Sequence, residues 1–250
     1  MVPNYKLYLY DTLPSTNDTG HLLAQNGAPE WSVVVADTQT AGRGRLERKF
    51  HSPQGTGLYM SVILRPEIAP SEAMTITTAA AVSVAETLEA MFGVRAEIKW
   101  VNDILVEGKK VCGILTESRL SGANLDYAIL GIGVNVAPPE GGFPEEIRQI
   151  AGAVSDGKGD LGKIRMKLME GILGAFYTHY QTLNRNPVPF LEEYKKRLCC
   201  LNRPVHIMGE NGTWQVGTPV DLKPDFSLEV AMEDGSVKSL RAGEISLRLS

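Results

Sequence analysis

The chain has 250 residues, 43% hydrophobic and 22% charged, which suits one large globular domain or a domain with a small appendage. A net charge of -4 and a pI near 5.7 remove any global electrostatic case for a nucleic-acid binder. No apolar run approaches the roughly 18 residues that span a bilayer, and the N-terminus lacks the pattern of a secretory signal. A cytoplasmic protein is expected, with no membrane association.

Three cysteines, two of them adjacent at 199 and 200, make a poor disulfide framework. The histidines are scattered at positions 21, 51, 179 and 206, so no protein-held metal is expected.

In chain order, residues 5–10 alternate enough for a short strand. Ser15 then stands where a helix cap belongs, with Asp18 three residues on in a capping-box position. That helix runs to about Asn26, where Gly27 stops it. Residues 32–39 read as a buried strand, 40–57 as a loop rich in glycine and basic side chains, and 58–66 as another strand. The Ala- and Thr-rich run from Ser71 to Phe92, closed by Gly93, has the strongest helical spacing. Strands are expected over 96–102, over 104–120 as a hairpin turning at Glu107-Gly108, and over 125–136. A Pro- and Gly-rich connection fills 137–159, and helices follow over 161–183 and 188–199. After Cys200 the texture changes to short strands broken by NG, PD and DG turns, a small all-β module.

Three constellations carry possible chemistry. Gly42-Arg43-Gly44-Arg45-Leu46-Glu47-Arg48-Lys49-Phe50 follows a strand. Its glycines let backbone approach a ligand, and its arginines offer forks of donors that match phosphate and carboxylate oxygens. Alone, it reads equally as a solvated basic loop. The second is Lys99-Trp100-Val101-Asn102-Asp103, followed by Lys109-Lys110-Val111-Cys112-Gly113-Ile114-Leu115, and the third is Gly131-Ile132-Gly133-Val134-Asn135. Each alone also has a structural reading, as a buried Trp, a lysine-bearing hairpin tip and a glycine-rich strand end. There is no GxxxxGK[ST], no third glycine for a dinucleotide fingerprint, no GxSxG and no HExxH. Catalysis would have to come from positioning and charge stabilisation.

Taken in order, Ser15-Thr16-Asn17, the run from Gln39 through Gly42-Arg43-Gly44-Arg45, Lys99 to Asp103, Lys110 before Cys112-Gly113-Ile114-Leu115, Gly131 to Asn135 and the terminal Gly243-Glu244-Ile245-Ser246-Leu247-Arg248 resemble the biotin protein ligase family over nearly the whole chain. The resemblance implies an α+β catalytic domain with a mixed sheet over 1–199 and an SH3-like barrel over 200–250. It implies biotin and Mg-ATP as substrates, giving biotinyl-5′-AMP, and a lysine of a biotin carboxyl carrier protein as acceptor. A homodimer is compatible with it.

By the same resemblance, Ser15, Thr16, Asn17, Gln39, Gly42, Arg43, Gly44, Arg45 and Lys110 belong to the biotin site. Arg43, Arg45, Arg48, Phe50, Lys99, Trp100, Asn102, Lys110 and Asn135 belong to the adenylate site. Arg45, Lys110 and Asp103 are the catalytic candidates. Short hydroxyls and an amide can meet both the donors and the acceptors of a ureido ring. Two cations aimed at an α-phosphate would lower the barrier to its attack. Ser15 reads equally as a plain helix cap, and Asp103 as a turn carboxylate.

The chain departs from the family at Glu47, Phe50 and Val101, where Gly, Trp and Pro are usual. A lipoate ligase or octanoyl transferase shares the implied fold, but the complete GRGR loop favours biotin. In the repressor branch a helix-turn-helix domain precedes the catalytic part. Here the catalytic strand starts at residue 5, so a short form without DNA binding is expected. A non-catalytic biotin sensor is disfavoured by the intact Arg45 and Lys110.

Overall fold

The computed structural model describes residues 2–45, 48–183, 188–208, 213–241 and 247–249. Leu46 and Glu47 of the basic loop, and residues 243–246 of the terminal motif, lie outside the described residues.

The chain begins with β1 (Lys6–Leu13), α1 (Thr16–Gln25), β2 (Ser32–Gln39) and β3 (Gly57–Leu64). It continues with α2 (Met74–Phe92), β4 (Ala96–Lys99), β5 (Asp103–Val106), β6 (Lys109–Ser121) and β7 (Asn124–Asn135). These strands form one seven-stranded sheet in the order β1-β2-β3-β7-β6-β5-β4. Only β1 and β2 pair in parallel, since α1 carries the chain across between them, so the sheet is mixed as expected. The β5–β6 turn falls at Glu107-Gly108, with φ of 51° and 73°, the left-handed pair that a two-residue hairpin uses.

The two faces of the sheet do different work. Ala128, Leu130, Ile132 and Val134 of β7 are buried with α2 and the later helices. The alternate residues Tyr127 and Ile129 pack instead with Ala24 and Ala28 at the end of α1. A period of two along the strand separates these sets. Further along the α1 face, the strand carries glycines at 131 and 133.

α2 starts at Met74 and not at Ser71, because residues Pro70–Glu72 form a separate 3₁₀ turn. It ends at Gly93 in the left-handed conformation, which lacks a Cβ penalty there. The connection after β7 contains the short α3 (Glu145–Arg148) and is stitched to β6 by bonds between Lys110 and residues 150 and 152. α4 (Leu161–Tyr180) and α5 (Val188–Arg197) complete the helical layer, both ending before the expected positions. Arg165 of α4 is tied to Asp37 of β2.

One expectation fails at α1. Ser15 stands at the N-cap, but its side chain caps nothing, and no capping box forms with Asp18. The first helical N–H, that of Thr16, is met from outside by Gln39 Oε1 at 2.8 Å. A strand side chain has taken over the capping task, so the Ser15 hydroxyl is not spent on the helix.

The C-terminal module is an antiparallel sheet ordered β11-β10-β9-β8-β12, built from β8 (Val205–Met208), β9 (Trp214–Leu222), β10 (Leu228–Met232), β11 (Val237–Leu240) and β12 (Leu247–Leu249). Its apolar residues Val205, Ile207, Leu222, Leu228 and Val230 join the same buried cluster as α2, α4 and α5. Phe226, fully buried, stacks on Phe190 of α5 with ring centroids 5.5 Å apart. Its carbonyl accepts from Trp100 Nε1 at 3.1 Å.

Because one core crosses both parts, thermal unfolding should show one cooperative transition and not two. Phe226→Ala should lower the stability of the whole chain by about 3–5 kcal/mol, the usual loss for a buried phenylalanine. Calorimetry checks both, and an early separate transition for the module would contradict them.

Candidate functional site

The site grows from the bare stretch of β7. Residues 131, 133 and 135 share one face, in line with Ile129, on which α1 sits at Gly20. Gly131 lies directly beneath Asn17, so that an added Cβ would clash with the Asn17 amide. At Gly133 an added Cβ would come within 2.5 Å of the Phe50 ring. Gly113 is the β6 register partner of Gly133 and lies under the same ring. The glycines therefore form a floor, and the side chains above it come from α1 and the basic loop.

At the α1 end the polar groups form a continuous network. Thr16 Oγ1 is 3.1 Å from Gln39 Oε1, while Gln39 Nε2 donates to Ser52 Oγ at 2.9 Å. Ser61 Oγ donates to Asn17 Oδ1 at 2.6 Å, with Thr16 Oγ1 at 2.7 Å. Asn17 Nδ2 donates to Glu117 Oε2 at 2.7 Å. Arg43 pairs with the same Glu117 oxygen and with Asp18, each at 2.7 Å. Ser15, Thr16 and Asn17 are buried. Satisfied buried networks of this kind hold their members in single orientations.

The other end is cationic. Lys110 Nζ lies 2.6 Å from Asp103 Oδ1, across the β5–β6 hairpin. Arg45 donates to Asn102 Oδ1 at 3.1 Å, and Asn102 Nδ2 donates on to Ile114 O at 2.8 Å. Burial holds the Arg45 guanidinium below its ordinary pKa, and Asp103 pulls the other way. Lys99 is lowered in the same way, by burial first, against Asp103, with Lys110 and Arg48 adding to the lowering. Cations partly removed from water and near one another are poised to gain from an arriving anion.

Asn135 closes the strip, its amide donating to Gly152 O at 2.9 Å. Trp100 stands apart: it is 5% exposed and gives its indole N–H to Phe226, behind the turn. Tyr194 on α5 donates to Val101 O at 3.0 Å, so the Lys99–Asp103 turn is gripped from below. The Trp100–Val101 peptide is cis.

A cavity of about 720 Å³ opens beside the strip. Its walls include Gly42, Arg43, Gly44, Arg45 and Arg48 of the loop, Glu117 of β6 and Met74 at the start of α2. Its size falls in the range of small-molecule sites. Among the described residues no group of three or more His, Cys, Asp or Glu side chains could hold a metal ion. Nor is any described helix long and apolar enough to cross a membrane.

The fold thus gathers Thr16, Asn17, Gln39 and Arg43 at one end and Arg45, Lys99, Asn102, Asp103 and Lys110 at the other, with Phe50 between. Ser61 and Glu117 were not anticipated from the sequence. Ser61 had a signal, as the one small hydroxyl inside the buried run Gly57–Leu64. Glu117 had none, since β6 beyond Leu115 is largely polar.

The model of the biotin/lipoate A/B protein ligase family matches residues 9–135, which hold the whole strip. The "Bifunctional ligase/repressor BirA" of Bacillus subtilis (strain 168) is 44% identical over 191 residues, 75% of this chain and 58% of that protein. The protein of the same name from Escherichia coli (strain K12) is 30% identical over 86% of this chain and 66% of its own length. The chain thus spans about three fifths of the length of such curated relatives. Among solved structures, biotin protein ligase from Aquifex aeolicus in complex with biotin and ATP superposes with a TM-score of 0.78 at 29% identity. That match covers 98% of this chain and 99% of the other, and so includes the C-terminal module. With the family's model covering more than half its length, the chain belongs to the biotin/lipoate A/B protein ligase family.

Proposed function

We propose that this chain is a biotin protein ligase, which activates biotin with Mg-ATP and transfers it to a lysine of a biotin carboxyl carrier protein. The observation that carries the reading is the polarity of the strip: a hydroxyl-amide network at one end and a cluster of cations at the other, joined by a floor without side chains. That order matches a ligand with a neutral ureido ring at one end and a phosphate at the other. The relative that superposes over the full chain was solved with biotin and ATP, and a "Biotin--[acetyl-CoA-carboxylase] ligase" from Paracoccus denitrificans is 39% identical over half this chain.

In this reading Ser15, Thr16 and Gln39 face the ring, with Asn17 behind them and backbone from Gly42, Arg43 and Gly44 over it. The biotin carboxylate attacks the α-phosphorus of ATP and pyrophosphate leaves. Magnesium enters with the triphosphate, since it binds through substrate phosphates more than through dedicated protein cages. Lys110 and Arg45 face the charge that builds on the α-phosphate. Arg48, Phe50, Lys99, Asn102 and Asn135 line the nucleotide end, and Trp100 holds the turn on which two of them sit. In the second step the carrier amine attacks the mixed anhydride, AMP leaves, and Asp103 takes the amine's proton. An unassisted lysine amine, with a pKa of about 10.4, is mostly protonated at neutral pH.

Pyrophosphate exchange into ATP should depend on biotin and not on lipoate or octanoate. Exchange driven by lipoate would transfer the chain to the other branch of its family. Lys110→Ala should cut adenylate formation by about 10²- to 10³-fold while biotin binding changes less, as for removal of one oxyanion donor. Near-normal exchange in a folded Lys110→Ala protein would end that assignment.

The mixed anhydride must be kept from water and stray amines. Arg45→Gly removes a cation from the phosphate and frees the loop, so the adenylate should escape. Incubation with biotin, ATP and serum albumin should then label the albumin, where the parent labels only its carrier. An unlabelled albumin band with the variant would contradict the retention role.

A further inference from the structure

Thr16, Asn17, Gln39 and Arg43 at the ring end are each held by another side chain, and two of those holds meet at one atom. Glu117 Oε2 accepts from Asn17 Nδ2 and from Arg43, both at 2.7 Å. Asn17 belongs to the first turn of α1 and Arg43 to the glycine loop, so this oxygen carries the join past the backbone bonds from Thr40 to Leu13 and from Ala41 to Pro14, which stop short of both residues. Glu117 reaches them from β6, where it is the register partner of Ile129 and stands on the glycine-strip face. We propose that Glu117 is a positioning residue of the biotin site, whose carboxylate fixes the Arg43 loop against α1 and so presets the ring pocket. The proposal rests on the biotin reading for its ligand, but not for the tether itself.

The chemistry requires a carboxylate at this position. Both donors approach the same oxygen, and one of them is a cation. An ionised acceptor bonds such a donor about twice as strongly as a neutral one. The surroundings hold the Glu117 pKa below its ordinary value: His21, with Nε2 3.8 Å away, acts most, followed by the bonds from Asn17 and Arg43, against the cost of burial. Asn17 has no slack with which to compensate. Its oxygen is taken by Ser61, its nitrogen by Glu117, and Gly131 sits directly under it. Asp18 is the other carboxylate on Arg43, but its side chain is 53% exposed against 27% for Glu117. An exposed pair contributes little. Asp18 therefore guides Arg43 without anchoring it.

The test compares Glu117→Gln and Glu117→Ala with the parent chain in two measurements. Without ligand, amide hydrogen exchange over Ala41–Arg45 and the first turn of α1 should quicken in both variants, while exchange in α2 stays as in the parent. With substrates, the biotin KM should rise by about 10-fold in Glu117→Gln and up to about 100-fold in Glu117→Ala, the range for loss of charged hydrogen bonds. The ATP KM and the melting temperature should hold. Full rescue by glutamine in both measurements would reduce Glu117 to a neutral spacer and overturn the proposal. So would parent-like exchange over the loop, or equal rises in both KM values. If the parent chain itself shows no biotin dependence, the biotin reading fails, and the hydrogen-exchange comparison still decides the tether.

Discussion

The structure depends on one constraint, the close approach of α1 and the basic loop to a strand that lacks side chains. Gly131 admits Asn17 and Gly133 admits Phe50, each at a distance that a single Cβ would forbid. A strand interior usually loses stability to glycine. Here the neighbouring strands β3 and β6 hold β7 on both edges, and Leu130, Ile132 and Val134 anchor its opposite face. The sheet can therefore leave one face bare without losing the strand.

Around that floor the two ends of the site are built by different physics. The α1 end is a hydroxyl-amide network tied through Glu117 to Arg43, which also pairs with Asp18, and it gives orientation. Among the described residues the loop end gathers Arg45, Arg48, Lys99 and Lys110 near Asp103, an excess of positive charge in a partly buried place. Such an excess is costly alone and favourable once a phosphate arrives. The small β module supports this end, with none of its described residues lining the cavity, through Phe226 beneath Trp100 and through α5, whose Tyr194 reaches Val101.

Much of this was legible in the sequence, and the reasons differ by element. The β5–β6 hairpin was readable because Glu107-Gly108 has few conformations to choose from. The mixed sheet followed only from family resemblance, since alternation along a strand does not say which neighbour it pairs with. Ser15 misled as a helix cap because the helix start is met by Gln39, which lies 23 residues away in the chain. Trp100 entered the adenylate site by resemblance alone, and the partner of its indole N–H, Phe226, lies 126 residues on and could not be read from the local sequence. Ser61 and Glu117 were missed for the same reason. Each acts through long-range hydrogen bonds, and neither belongs to a local motif.

The account's central claim is that one ligand lies along the glycine strip with its ring at Thr16 and Gln39 and its phosphate at Lys110. A crystal structure of the chain with biotinyl-5′-AMP tests this most directly. The account predicts the ureido ring within hydrogen-bond reach of Thr16 and Gln39, the chain of the ligand over Gly131 and Gly133, and the phosphate beside Lys110 and Arg45. A ligand bound in the reverse direction, or away from the strip, would contradict it.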